Sequence, residues 1–568
     1  FNIANQALEQ SKNTQQQLDQ IVIEGDSSVE AAQARVDEKG QTHATLKERI
    51  DDGFIKVNTQ LDQNTNDIVL RGVNVKTLGA KGNGLDDDYN ILQDAINNYD
   101  NIFLPKGVYK ISKTLRLDGV NGKNIVFSPG AVVYRSENSR SDNDDNSCFY
   151  LRGCEGITFS DITLDSGENG ASTLMVLSEC ENIKFLGHNT VNYSSSWTFV
   201  IRPGCSNIFI DTLVVNQPSD KPKTMDGIDI ISSNNITINN VIGNGDNEDD
   251  LVVLKTWPNR GACYNIQIGK ITANGTYGAF SIGSEVLEDI YNVSIGEIVA
   301  TNTRRGIYFK QWTQDIDSEN RRAQFPDVKY EDYGKVYDIY IGSFTSRNDV
   351  RTGFAQIDFH IDEPFTDNFS NITFNNVYIE GLFEYDFIRI DKVKNIHFNN
   401  LTTKVKNIEG ASGVLSRYGV RIYDVERLRI LGGEIQATEI PISTNLDAED
   451  LYISNVKPIG VNFQGEVVEV DSLIYIRYSH AIIENCDLTS PSVTPIKCLN
   501  NYNRNKQRVK FVNNKGRDIG LSNPPTTGEW LRGEKVYNVS PSVGDDIGWI
   551  CVTEGTPGVW KSLGVITD

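Results

Sequence analysis

The chain has 568 residues and a formal net charge of −22 at pH 7, with an isoelectric point near 4.8. This balance excludes a basic footprint for duplex nucleic acid, which needs clustered Lys and Arg against the phosphates. No run of 18 apolar residues occurs, so no membrane-spanning helix is read and no membrane partner is expected. With 47 Gly, 16 Pro and 2 Met, and Asn recurring in pairs such as Asn234-Asn235 and Asn399-Asn400, the composition predicts many short strands joined by tight turns. The chain opens at Phe1 with no charged segment ahead of an apolar one. No signal peptide is read, and a trimmed upstream segment is expected.

Residues 1–65 are rich in Gln and charge, with apolar residues at helical intervals: Val29, Ala32, Val36, then Leu46, Ile50, Phe54, Val57 and Leu61. One apolar stripe on a polar helix needs a partner helix, so this segment is predicted as a helical stem or short coiled coil. Gly25, Gly40 and Gly53 are expected to break it into two or three short helices, and a flexible linker is the plainer alternative. After the Gly-rich run Gly79 to Gly84, residues Asp88 to Tyr99 read as a helix with Ile91, Ala95 and Ile96 on one face. Ile102 to Tyr109 then reads as strand and turn. A solenoid's first repeat has no neighbour to cover its apolar face, and a short helix here supplies a cap.

From there to about residue 500 a turn residue followed by an alternating apolar strand recurs. Instances are Gly156-Ile157, Asn182-Ile183, Asn207-Ile208, Asn235-Ile236, Asn265-Ile266, Asn292-Val293, Asp338-Ile339, Asn371-Ile372, Asn395-Ile396 and Asp450-Leu451. Repeats of this size built from β-branched, period-two strands predict a β-solenoid. The longer gap between Asn292 and Asp338 predicts an insertion over Trp312 to Tyr333. The Asn positions suit tight bends and are expected to form a side-chain ladder. Cys154, Cys180, Cys205 and Cys263 occupy one repeating context with no Cys-x-x-Cys pair among the eight cysteines, which predicts stacked buried thiols. Residues 521–568, with Gly/Pro turns around Trp549 and Trp560, read as a small C-terminal β module. Its tryptophans are expected in its core, with sugar stacking as the alternative. The fold class is therefore all-β: a right-handed single-stranded parallel β-helix over 66–520 with an N-terminal helical stem and a small C-terminal β module.

Four stretches fall on consecutive repeats: Thr224 to Ile230, Asp249 to Lys255, Tyr277 to Glu285 and Arg305 to Lys310. Coils of a β-helix lie ~4.8 Å apart, so Asp226, Asp249 or Asp250, Tyr277, and Tyr308 or Lys310 are expected on one face. Neighbouring carboxylates raise one another's pKa, which lets one stay protonated as a general acid while another activates water. Asp-rich runs at 142–145 and 246–250 raise calcium as an alternative. Otherwise no cofactor and no metal are expected.

These four stretches resemble, in order and spacing, the signature motifs of polygalacturonase-type glycoside hydrolases, and Val73 to Tyr109 resembles the capped opening of pectate-lyase-type β-helices. The resemblance implies an inverting hydrolase with Asp249 as general acid, Asp226 and Asp250 orienting water, and Lys310 binding substrate. Two positions depart from it. Tyr277 stands where the family has His, and Tyr308 where it has Arg, which argues against a pectin-like substrate and for tyrosine contacts with sugar. Arg305 and Ser284 complete the expected substrate-binding set, with Arg304 as a further cation. The layout of stem, solenoid and distal module resembles tailspikes and pre-neck appendages of small tailed phages of Gram-positive hosts. That resemblance implies a virion-borne homotrimer joined to other tail or neck proteins through the stem, acting outside the host on wall teichoic acid or a related polysaccharide, with a glycosidic bond or a glycerol phosphodiester cut and Lys310, Arg304 and Arg305 available to hold phosphate. It also implies a gene continuing past Asp568 into a self-cleaving chaperone. A spike that binds its receptor without cutting is the competing expectation.

Overall fold

The computed structural model describes residues 10–14, 34–37, 40–56 and 72–567. Within the last range it omits 136–145, 168–172, 195–196, 218–225, 246–248, 314–328, 330–332, 350–352, 364, 366, 385, 408–414, 445–448, 478–479, 493–494, 500–508, 516–522, 527–529, 531 and 539–540. The chain divides into two compact units, Phe1–Gly72 and Val73–Asp568.

In the first unit, residues 10–14 and 46–56 are helical. The second helix starts on a reciprocal cap: the Glu48 amide donates to Thr45 Oγ1 at 3.1 Å and the Thr45 amide to the Glu48 carboxylate at 3.3 Å. This is the S/T-x-x-E box, which satisfies two otherwise orphaned amides. Two expectations are corrected here. Gly53 does not end this helix, because one interior Gly costs only about 1 kcal/mol. Val36 is not helical but pairs antiparallel with Thr42. Val29, Ala32, Gly25, Val57 and Leu61 lie outside the described residues.

In the second unit, 33 strands form one continuous sheet whose described pairings are parallel, as in Ser206–Asn216 on Asn234–Asn244 and Asn234–Asn244 on Cys263–Asn274. The chain winds into a parallel β-helix, and parallel crossovers take the right hand in about 98% of cases. One inward column shows why. Ile208, Ile236, Ile266, Val293, Ile339, Ile372, Ile396, Leu428 and Leu451 stack in register coil upon coil, all buried. These are the apolar residues that follow each turn in the sequence repeat. Phenylalanine pairs stack inside as well, Phe309 on Phe359 at 4.5 Å and Phe374 on Phe398 at 4.9 Å.

The preceding Asn residues take the left-handed conformation, with φ between 52° and 57° at Asn207, Asn235, Asn265, Asn292, Asp338, Asn371 and Asn395, a region Asn tolerates better than most residues. Their amides form the anticipated ladder: Asn265 donates to Asn235 at 2.9 Å and Asn395 to Asn371 at 2.8 Å. A second ladder, not anticipated, runs through Asn192, Asn216, Asn244 and Asn274 at 2.9–3.1 Å. The thiols of Cys154, Cys180, Cys205 and Cys263 are buried and unpaired in disulfides.

The capping helix spans Tyr89–Asn98 and buries Leu92, Ala95 and Ile96. Ile91 packs only partly against the core, so the buried stripe is centred one residue later than the sequence suggested. At the far end, Lys535–Tyr537, Gly548–Thr553 and Val559–Ser562 form a separate antiparallel sheet. Trp549 is buried there, its Nε1 donating to Asp546 at 3.0 Å, and Trp560 packs edge-on against Trp530. Burial of Trp549 assigns it to the module's core rather than to a sugar platform.

Candidate functional site

One face of the solenoid carries strands Ile228–Ile231, Asp250–Thr256, Gly278–Val286, Arg305–Gln311 and Ile357–Ile361, each hydrogen-bonded to the next. Its register sets two outward columns, Asp229–Val253–Ser281–Tyr308–Asp358 and Lys310–His360. Asp226 and Asp249 lie just before the first two strands, and the Gly227 amide donates to the Asp250 carbonyl at 2.9 Å. Two successive coils therefore bring three carboxylates together. One oxygen from each of Asp226, Asp249 and Asp250 lies within 4.8 Å of the others.

Two buried ammonium groups hold this cluster. Lys255 Nζ donates to Asp226 Oδ2 at 2.6 Å and to Asp229 Oδ1 at 2.8 Å, and lies 4.8 Å from the Trp197 ring. Lys310 Nζ donates to Asp250 Oδ2 at 2.8 Å, and Ser281 Oγ donates to the same oxygen at 2.7 Å. Among the described residues Asp249 receives the Asp250 amide alone, at 3.1 Å, and it faces a cleft of about 530 Å³.

The electrostatics separate the carboxylates. Burial, then the Asp226 and Asp250 charges, push Asp249 up to about 7, with Lys310 and Lys255 pulling the other way. Burial also opposes the charge on Asp250, but the Lys310 ammonium and the hydrogen bonds from Lys310 and Ser281 outweigh it, and the pKa falls below the ordinary carboxylate range. Burial and Asp226 hold Asp229 well above that range. The three clustered aspartates meet the minimum for cation coordination, but Lys255 and Lys310 already supply positive charge there. The 142–145 run and residues 246–248 lie outside the described residues.

Of the remaining expected residues, Tyr277, Arg305, Tyr308 and Lys310 line the cleft. The Arg305 guanidinium stacks over the Tyr308 ring at 3.8 Å from its centroid, and Arg304 lies 5.4 Å from the Tyr277 centroid. Ser284 is buried within its strand, 8% exposed, and is not among the residues lining the cleft. Asp226 and Asp250, 2% and 0% exposed, are also absent from that lining.

Sequence reasoning missed Trp312, His360 and Asp362 in the cleft lining. Tyr308 Oη and His360 Nδ1 lie 3.1 Å apart, and Asp362 accepts from the Thr313 amide and hydroxyl, both at 3.0 Å. His360 and Asp362 come from the coil after the insertion, whose length hid their register from a spacing argument. Lys255 and Asp229 carried a signal, since both fall in the quoted motifs. Gly278 also has a physical role: a Cβ there would overlap Asp250 Oδ1, so only Gly lets the next coil close over this carboxylate.

Residues 166–343 match the family model of glycosyl hydrolases family 28. The matched segment contains all three clustered aspartates with Tyr277, Arg305, Tyr308 and Lys310. Solved structures similar to this chain include a Thermotoga maritima exopolygalacturonase (11% identity, 75% of this chain and 91% of that one, TM-score 0.39) and a Yersinia enterocolitica family 28 exopolygalacturonase (14%, 78% and 77%, 0.38). Tailspike protein 3 of bacteriophage CBA120 is similar at 11% identity over 98% of this chain and 77% of that one, with a TM-score of 0.41.

Proposed function

We propose that this chain is a phage tailspike or appendage that hydrolyses glycosidic bonds in a host cell-surface polymer during adsorption, with wall teichoic acid or a related polysaccharide as substrate. The observation that carries the catalytic part is the asymmetry of the carboxylate cluster. Asp226 and Asp250 are bonded to ammonium groups, while Asp249 faces the cleft with its pKa raised to about 7.

In this reading the protonated Asp249 carboxyl donates its proton to the leaving glycosidic oxygen as the C–O bond breaks. A water held by Asp226 and Asp250 attacks the anomeric carbon and gives its proton to one of those carboxylates. Tyr277, Tyr308 and Trp312 offer ring faces and edges to the sugar, and Arg305 and Lys310 bind its oxygens. Inverting pairs usually stand ~6.5–9.5 Å apart and retaining pairs ~5–5.5 Å; the aspartate oxygens here approach more closely than either. Product anomer analysis by NMR therefore decides the stereochemistry, with inversion expected from the family resemblance.

The virion placement and trimer rest on the layout of capped N-terminal helix, solenoid and C-terminal sheet. They rest also on Phe54 and Ile55, which are 38% and 62% exposed on that helix and would be covered in a helical bundle. The test is turnover: the wild-type protein releases soluble reducing ends from purified host wall polymer, and Asp249→Asn releases almost none while still binding. A wild type that binds and releases nothing makes the chain a receptor-binding spike.

A further inference from the structure

Beyond residue 343, where the family match ends, the site face continues with a different set of side chains. The column through Tyr308 runs on to Asp358, Arg389 and Arg421. The column through Asp250, Gly278 and Arg305 reaches Asp386 by the same register, through Ile307, Ile357 and Ile388 two residues along, and then Tyr418. Asp386 thus sits four coils beyond Asp250, roughly 19 Å along the axis.

Three guanidinium groups along these columns face carboxylates at stand-off distance. Arg305 lies 3.9 Å from Asp358, Arg389 3.7 Å from Asp391 and Arg421 3.8 Å from Asp386. Direct N–H···O bonds fall at ~2.7–3.2 Å, so these pairs attract without bonding. Oδ1 of Asp358 and Oδ1 of Asp386 are buried with no hydrogen-bond partner among the described residues, in side chains of residues only 8% and 5% exposed. The Arg421 guanidinium also lies 4.6 Å from the Tyr418 centroid. Buried polar atoms in folded proteins are nearly always bonded, and exceptions call for a physical reason such as an ordered water or a role in the site; Oδ2 of Asp229 and Oδ1 of Asp250 share this state in the first stretch.

We propose that Asp358, Asp386, Arg389, Arg421 and Tyr418 form a distal subsite for an uncharged, hydroxyl-rich stretch of glycan. This rests on the glycosidase reading with a polysaccharide, not a polyol-phosphate backbone, as substrate, since the same chain would run from Asp249 along the face. A sugar hydroxyl both donates and accepts, so it bridges a carboxylate and a guanidinium held just too far apart to bond each other. Where these carboxyls are ionised, above about pH 7 for Asp386, each cation is balanced by its own carboxylate and a phosphate or uronate gains little. The Tyr418 ring offers a face to the sugar's C–H groups.

The test presents Asp249→Asn protein, which does not cut, with immobilised unsubstituted hexose oligomers from disaccharide to octasaccharide. Uronate and glycerol-phosphate oligomers of matched length stand beside them. Neutral oligomers should be retained with affinity rising with length, and Arg421→Ala should weaken the long ones at least tenfold while leaving the disaccharide unchanged. Tyr418→Ala gives an independent second reading, with folding of both variants checked by thermal melting. Preference for uronate or glycerol phosphate overturns the proposal. So does failure to retain any neutral oligomer, or retention that neither variant alters. If neutral oligomers bind through Arg421 but the wild type cuts none of them, the glycosidase reading falls and the subsite stands. If the wild type cuts them and Arg421→Ala cuts long ones equally well, the subsite falls and the glycosidase reading stands.

Discussion

Two stretches of one solenoid face, the coils from Asp226 to Lys310 and those from Asp358 to Arg421, handle buried charge in opposite ways. In the first, ammonium groups bond their carboxylates at 2.6–2.8 Å. In the second, guanidinium and carboxylate stand 3.7–3.9 Å apart. Bonded pairs fix Asp226 and Asp250 in place, while Oδ2 of Asp229 and Oδ1 of Asp250 keep no hydrogen-bond partner among the described residues. In the second stretch the facing charges are held short of one another. Titration alone does not separate the two: burial raises both Asp249 and Asp386 to about 7, although Asp249 has carboxylates as its next neighbours and Asp386 has arginines.

The largest expected effect breaks the comparison at its centre. General acid catalysis contributes roughly 10²–10⁴-fold, so Asp249→Asn should lower kcat on wall polymer by that factor. Asp386→Asn should change kcat on short oligomers by less than about threefold, because that carboxylate lies some four coils from the scissile bond. Comparable losses in both variants would mean that the chemistry is not confined to the first stretch.

A smaller effect tests the packing that aims the cluster. In Gly278→Ala the added methyl overlaps Asp250 Oδ1 and must push that carboxylate off Lys310 and Ser281. Overpacking of this kind costs about 1–3 kcal/mol. A tenfold or greater fall in kcat with a lowered melting temperature is expected, and unchanged kinetics would show that the Asp250 position is not critical.

The solenoid was legible in the sequence because each coil repeats one physical demand: a residue tolerant of positive φ, then inward β-branched residues. Asn265-Ile266 and Asn371-Ile372 state it outright. The aspartate cluster was legible because Asp226, Asp249 and Asp250 lie on adjacent coils with no insertion between them. His360 and Asp362 were not, since the long connection between Gln311 and Val336 breaks the count that would have put them in register with Lys310. The distal arginines were invisible for another reason. Arg389 and Arg421 look like ordinary outward residues of alternating strands, and only the three-dimensional register aligns them with Tyr308.

The pH dependence sharpens the assignment of Asp249. As general acid it works only when protonated, so activity should fall as pH rises through about 7. Lys310 favours ionised Asp249, so Lys310→Gln should move this alkaline limb upward by about one unit, on top of a lower overall rate. A limb that stays put would assign the titration to another group.

The smallest expected effect is on stability, and there the two stretches should behave alike. A carboxyl whose folded pKa lies above its unfolded value binds its proton more tightly when folded. The stability this gives is fully present below the unfolded pKa, near 3.8, and is lost as pH rises through the folded pKa, near 7. Replacing the carboxyl by a neutral amide removes the cost of burying the ionised form. Asp249→Asn and Asp386→Asn should therefore each raise the unfolding free energy read from denaturant melts at pH 8, by an amount on the order of a few kcal/mol at most, and leave it nearly unchanged at pH 4. Asp386→Asn gives the cleaner reading, because it leaves the lysine-bonded cluster intact. If that variant destabilises the protein at pH 8, the ionised Asp386 gains more from Arg421 and Arg389 than burial takes away. The second stretch would then hold its charges as tightly as the first, and the contrast drawn from the distances would not extend to energies.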